Sequence, residues 1–95
     1  MVNEIRFRLS NPRHVIDKKV IFNAPRDSSL RKIIPFLQQW LAKNGHHKEG
    51  DGRLRFVRDG VAVDVDTSFL AMFGPSAGTQ KDPATLEFVF EKEKR

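Results

Sequence analysis

Side chains able to hold a metal or move a proton concentrate in two short stretches of this chain. His46 and His47 stand with Glu49 and Asp51, and Asp59, Asp64 and Asp66 follow. A metal site needs donors that converge at ligand spacing, whereas adjacent histidines in a glycine-flanked loop diverge, and no second ligand cluster follows at zinc spacing. The spacing predicts a solvated loop with no metal. Paired carboxylates do acid and base work when burial or a close like charge separates their roles. Asp64 and Asp66 alternate with Val63 and Val65, which predicts that they face water. Gly50-Asp51-Gly52 is too short to cradle a phosphate and opens no helix. Cysteine is absent, and no serine, histidine and acid set is spaced for nucleophilic catalysis. The sequence therefore predicts a non-enzymatic chain without a cofactor.

Ninety-five residues suffice for one domain, spanning 1–95. Hydrophobic residues at 39%, with eight Phe and one Trp, supply one modest core without disulfides. The lack of cysteine fits a reducing compartment, and the expected location is cytoplasmic. The opening Met-Val-Asn-Glu-Ile-Arg-Phe-Arg interrupts the apolar run of a signal peptide, and no stretch approaches the roughly 20 apolar residues of a membrane span. No membrane insertion is expected. A formal charge of +5 favours acidic partners. No run of like charge exceeds two residues, as at Lys18-Lys19, which runs against a nucleic-acid-binding tail.

The elements that position these side chains follow from periodicity. Ile5, Phe7 and Leu9 alternate with Arg6, Arg8 and Ser10, the period of a half-buried strand over Glu4 to Ser10. Asn11-Pro12-Arg13 turns the chain into a second strand within Val15 to Ala24, centred on Val20-Ile21-Phe22, to form a hairpin. Either serine of Asp27-Ser28-Ser29 can cap a helix in which Leu30, Ile33, Ile34, Leu37, Trp40 and Leu41 recur, ending at Asn44-Gly45. Pro35 predicts a kink there or an altered first turn. Phe36 and Trp40 lie toward one edge of the apolar stripe, where partial exposure would make either a binding hot spot, and the expectation assigns them to the core. Leu54 and Phe56 mark a third strand closed by Asp59-Gly60, and Val61, Val63 and Val65 a fourth strand or extended segment. Phe69 to Gly74 forms an apolar helical turn that closes the core, and Pro75 to Pro83 is a loop. Leu86, Phe88 and Phe90 give the last strand before a frayed tail at 91–95.

One long helix among strands, with too short and polar a stretch from Thr67 to Gly74 for a second full helix, disfavours ferredoxin-like folds. The run from Ser29 to Leu41, followed later by Phe69 to Gly74, resembles a ubiquitin-like domain and, more narrowly, the autophagy-type ubiquitin-like modifiers. The resemblance implies an α+β, β-grasp fold in ββαββ order: a mixed four- to five-stranded sheet packed on one amphipathic helix, with the first and last strands central and parallel. Two features depart from it. Pro35 is unusual in such a helix, and the sequence given ends Glu91-Lys92-Glu93-Lys94-Arg95, without the C-terminal glycine through which such modifiers are conjugated. Non-covalent binding is the expectation.

If one sheet face packs under the helix, the other carries Arg6, Arg8, Lys19, Ile21, Arg53, Arg55, Val57, Glu87, Val89 and Glu91. Apolar residues inside a charged rim suit a protein interface, so Arg8, Ile21, Arg55, Val57 and Val89 are the candidate protein-binding residues. The competing expectation pairs Arg6 and Arg8 with Glu87 and Glu91 for solubility alone. The predicted function is a ubiquitin-like protein-interaction module. The alternatives are the N-terminal domain of a larger scaffold or cytoskeletal protein, and a basic module that binds nucleic acid or the acidic surface of microtubules.

Overall fold

The computed structural model describes residues 3–48 and 50–92. The elements run β1 (Glu4–Ser10), β2 (Phe22–Pro25), α1 (Leu30–Lys43), β3 (Arg53–Arg58), β4 (Val61–Ala62), α2 (Phe69–Phe73) and β5 (Ala84–Glu91). They build one five-stranded sheet in the order β2-β1-β5-β3-β4. β1 and β5 are central and parallel, with Phe7 beside Ala84 and Leu9 beside Leu86. Every other pairing is antiparallel.

Alternation sets the inner face. Ile5, Phe7 and Leu9 of β1, Leu54 and Phe56 of β3, and Leu86 and Phe88 of β5 are all buried. They form one core with Leu30, Leu37 and Leu41 of α1, and Phe69 and Met72 of α2 close it. Phe7 stacks on Phe22 at 5.6 Å and meets Phe69 at 5.2 Å, which ties the edge strand to the closing helix. α1 runs unbroken through Pro35. The N–H that proline lacks would have bonded the carbonyl of Arg31 in the first turn, where both residues are exposed and water can donate to that carbonyl instead. Lys32 bonds back three residues to Ser29, the tighter first turn that the proline implied.

The second strand differs from its expected extent. It begins only at Phe22, because Asp17 closes a turn, its carbonyl accepting from Val20 at 3.1 Å and its side chain from Lys19 at 2.9 Å. Ile16 is buried by the connection itself, and Ile21 lies just outside the strand. β4 is likewise only two residues long, although Val63 extends the ladder by bonding to Phe56. Glu91 is not frayed: it ends β5 opposite Arg53. The rest of the tail beyond Lys92 lies outside the described residues.

The two helices cap each other. Leu30 and Arg31 donate to the carbonyls of Thr67 and Val65, and Phe69 and Leu70 donate to those of Ser28 and Arg26. The cap residues Ser29 and Ser68 pair as an antiparallel bridge. Each helix thus satisfies its first free N–H groups on the chain that enters the other, at matching positions of Asp27-Ser28-Ser29-Leu30 and Asp66-Thr67-Ser68-Phe69. Arg26, 5% exposed, locks this junction: its guanidinium donates to the carbonyls of Gly74 at 2.7 Å and Glu4 at 3.1 Å.

Candidate functional site

The solvent face of the sheet is built by the residues that alternate with the core. Arg55 and Val57 project from β3 and Val89 from β5, with Arg55 directly opposite Val89 and Val57 opposite Glu87. Val57 and Val89 are therefore diagonal neighbours, about 7 Å apart by strand geometry, and both are half-buried. Arg55 and Glu91 flank them, with Nε 3.6 Å from the carboxylate. Three of the five candidate residues thus share one small apolar centre with a charged rim.

Arg8 and Ile21 lie elsewhere on the same face. Parallel pairing sets Arg8 against Thr85, two positions short of Glu87 and four short of Val89. Ile21, 37% exposed, precedes the ladder that starts at Phe7 and Phe22. The alternative pairing of Arg6 and Arg8 with Glu87 and Glu91 does not form. Arg6 lies opposite Asn23, Glu87 opposite Ser10 and Val57, and Glu91 opposite Arg53.

The histidine loop is not simply solvated. His47 stacks on Phe90 at 4.6 Å and donates from Nε2 to the carbonyl of Gly52 at 3.0 Å. His46 stacks on Trp40 at 6.0 Å, and His14 meets both His46 and Phe90 edge to face. Flat rings on a flat apolar edge explain this better than metal ligation, because stacking turns each ring's face to its neighbour. Glu49 lies outside the described residues. Among the described residues no group of three or more metal-binding side chains is assembled, and no helix is long and apolar enough to cross a membrane. Phe36, assigned to the core by its spacing, is 58% exposed and touches Phe22 only edge-on at 6.0 Å. Trp40 is half-buried against the same ring at 5.2 Å.

Sequence reasoning passed over Arg26 and Asn11. The carboxamide of Asn11 donates to the carbonyl of Phe88 at 2.7 Å, and its oxygen accepts from the amides of Arg13 and His14. Its position ahead of Pro12 marked a turn, and a side chain that mimics a backbone turn is what asparagine supplies there. Nothing in the spacing marked Arg26.

No protein-family model and no curated protein matches the chain. Solved structures do. The solution structure of the N-terminal ubiquitin-like domain in the 4931431F19Rik protein superposes with TM-score 0.55 at 14% identity, covering 100% of this chain and 82% of that one. A structure described as molecular mimicry of SUMO that promotes DNA repair gives TM-score 0.56 at 13% identity, over 95% of each chain. The EccD5 ubiquitin-like domain from Mycobacterium xenopi gives TM-score 0.60 at 13% identity, covering 96% of this chain and 98% of that one. Identities this low speak to fold alone, and they agree with the strand order, the parallel central pair and the single long helix: the chain has the ubiquitin-like β-grasp fold.

Proposed function

We propose that this chain is a non-enzymatic protein-interaction module that presents the outer face of its sheet to another protein in the cytoplasm. The observation that carries the proposal is the Val57 and Val89 pair, half-buried on the outer face and bordered by Arg55, Glu87 and Glu91. A small apolar centre supplies desolvation and the rim supplies selectivity. Two stiff, β-branched valines also lose little side-chain freedom when covered.

A narrower form of the proposal is an autophagy-type modifier role. It is supported by the short aromatic helix Phe69–Phe73, which ends at Gly74 with φ 84°. The alternative is a ubiquitin-like domain heading a larger scaffold, favoured by the likeness to an N-terminal ubiquitin-like domain. Both use the same face.

The test is quantitative capture with Val57→Asp/Val89→Asp, beside Gln39→Glu as an off-face control at an exposed position of α1. The expected outcome is a folded double variant that loses the partners retained by wild type and by the control. Retained capture by the folded double variant would sink the proposal. A basic module that bound nucleic acid or microtubules would instead lose affinity steeply with moderate salt and keep it in the folded double variant.

A further inference from the structure

The connection between β1 and β2 walls a second feature of this face. Asn11 pins it to β5 through Phe88 and holds its first turn through the amides of Arg13 and His14. Between this loop and the strands lies a cleft of about 450 Å³. Arg8, Arg13 and Lys18 line it, together with the hydroxyls of Ser10 and Thr85 and no carboxylate.

Arg8 is the unusual member. Its Nε is buried and has no hydrogen-bond partner among the described residues. Other arginines of the fold are answered: Arg26 by two carbonyls, Arg31 by Asp66, Arg55 by Glu91, and Arg58 by the carbonyl of Met72. A buried donor on a charged group without an acceptor is rare in native folds; with Nε sealed, an acceptor from outside the chain would meet this half-buried guanidinium through its terminal Nη groups.

We infer that this cleft is an anion site that seats the carboxylate of an Asp or Glu side chain from an acidic segment of a protein partner. Arg8 supplies the planar fork and the Ser10 and Thr85 hydroxyls donate alongside it, while Arg13 and Lys18 draw the segment in. A protein carboxylate fits better than a nucleic-acid backbone. The cleft has room for one or two side chains, it adjoins the face that carries Val57 and Val89, and the chain has no long cationic run to follow a phosphate track. The inference rests on the proposed protein-binding role and names its chemistry.

The test is an NMR titration that observes arginine Nε–H and backbone amide resonances. The probe is an acetylated, amidated hexaglutamate peptide, added to wild type, Arg8→Gln and Arg8→Lys. Wild type should show saturable shifts at Arg8 Nε–H and at the Ser10 and Thr85 amides. Arg8→Gln should weaken binding about tenfold or more, and Arg8→Lys, which keeps the charge but not the fork, should also weaken it. Fluorescence of Trp40 checks folding, and Arg8→Lys is the deciding variant if Arg8→Gln fails to fold. Equal affinity in the folded variants, or shifts that spare Arg8, would overturn the inference. So would an oligothymidine strand that displaced the peptide and moved the same resonances further, since the site would then belong to nucleic acid. The peptide reads the cleft without the natural partner, so its failure leaves the valine patch standing. Retained capture by Val57→Asp/Val89→Asp removes the patch and leaves the cleft.

Discussion

Gly78 offers a test of how the long loop between α2 and β5 is held. The residue is buried with φ +77°, and its carbonyl accepts from the Arg6 amide at 2.9 Å. A Cβ there would lie 2.2 Å from Cγ1 of Ile5 and 2.9 Å from the carbonyl oxygen of Arg6. Ile5 is fully buried and has no room to swing away. Gly78→Ala therefore meets two separate penalties. Left-handed backbone costs an L-residue about 1–2 kcal/mol, and overpacking against a fixed core adds about 1–3 kcal/mol. The sum is about 2–5 kcal/mol, a large part of the roughly 5–15 kcal/mol by which small domains are stable. At about 4–8 °C per kcal/mol, the midpoint should fall by at least about 8 °C.

Gly45 supplies the matched control, because its φ is +79° but nothing lies within 4 Å of a Cβ there. Gly45→Ala should show the backbone penalty alone, about 1–2 kcal/mol. Urea unfolding followed by the lone Trp40, whose ring packs edge to face on Phe22 at 5.2 Å, measures both variants. Equal losses at the two glycines would refute the reasoning, since the loop would then be giving way and not wedged on β1.

Three further outcomes are expected. Ser68→Ala should cost about 1 kcal/mol, because its hydroxyl accepts from the Ala71 amide at 3.0 Å, whereas Ser29→Ala should cost only a few tenths, because that serine makes no side-chain cap; denaturation midpoints of the two variants check this, and equal costs would count against it. Arg26→Met should destabilise by about 2–5 kcal/mol, by leaving the carbonyls of Gly74 and Glu4 without their donors; a neutral result in urea unfolding would mean water replaces the guanidinium. The Asp66 carboxyl lies below its ordinary range, because Arg31 hydrogen-bonds to it at 2.8 Å and adds its positive charge. Its folded pKa is the lower one, so the pair's contribution is complete above the unfolded carboxylate value and is lost as pH falls through the depressed value. Carboxyl NMR titration should show the Asp66 midpoint rising in Arg31→Gln, and an unchanged midpoint would refute the pairing.

What could be read in the sequence divides along physical lines. β1, β3 and β5 were legible because each keeps a strict two-residue period, and α1 because its apolar stripe outlasts one proline. β2 was not, since the apolar run Val20-Ile21-Phe22 has no alternation and the Asp17 turn consumes its first half. The outer face followed from alternation, but its pairs did not: whether Arg8 meets Glu87 or Thr85 depends on the parallel register, which no periodicity states. Arg26 was invisible for a similar reason, because its acceptors are backbone carbonyls 22 and 48 residues away. The mutual caps did leave a signal, the twice-used Asp-[Ser/Thr]-Ser-apolar tetrapeptide, which gains meaning only once the two helix starts are adjacent.

The spacing of the two proposed binding features sets a demand on any partner that uses both. Arg8 sits beside Thr85, and Val89 is four residues farther along β5, so the carboxylate site and the apolar centre are about 13 Å apart along the strand direction. An extended segment spans that distance in four residues, with its acidic and apolar side chains on the same side because four is even. A helix laid along the face would need about nine residues for the same span. An extended segment thus reaches both features in fewer residues than a helix, with register fixed at both ends. The valines exclude water without specifying position, and Arg8, anchored by its own burial, gives the partner's charge one place to go.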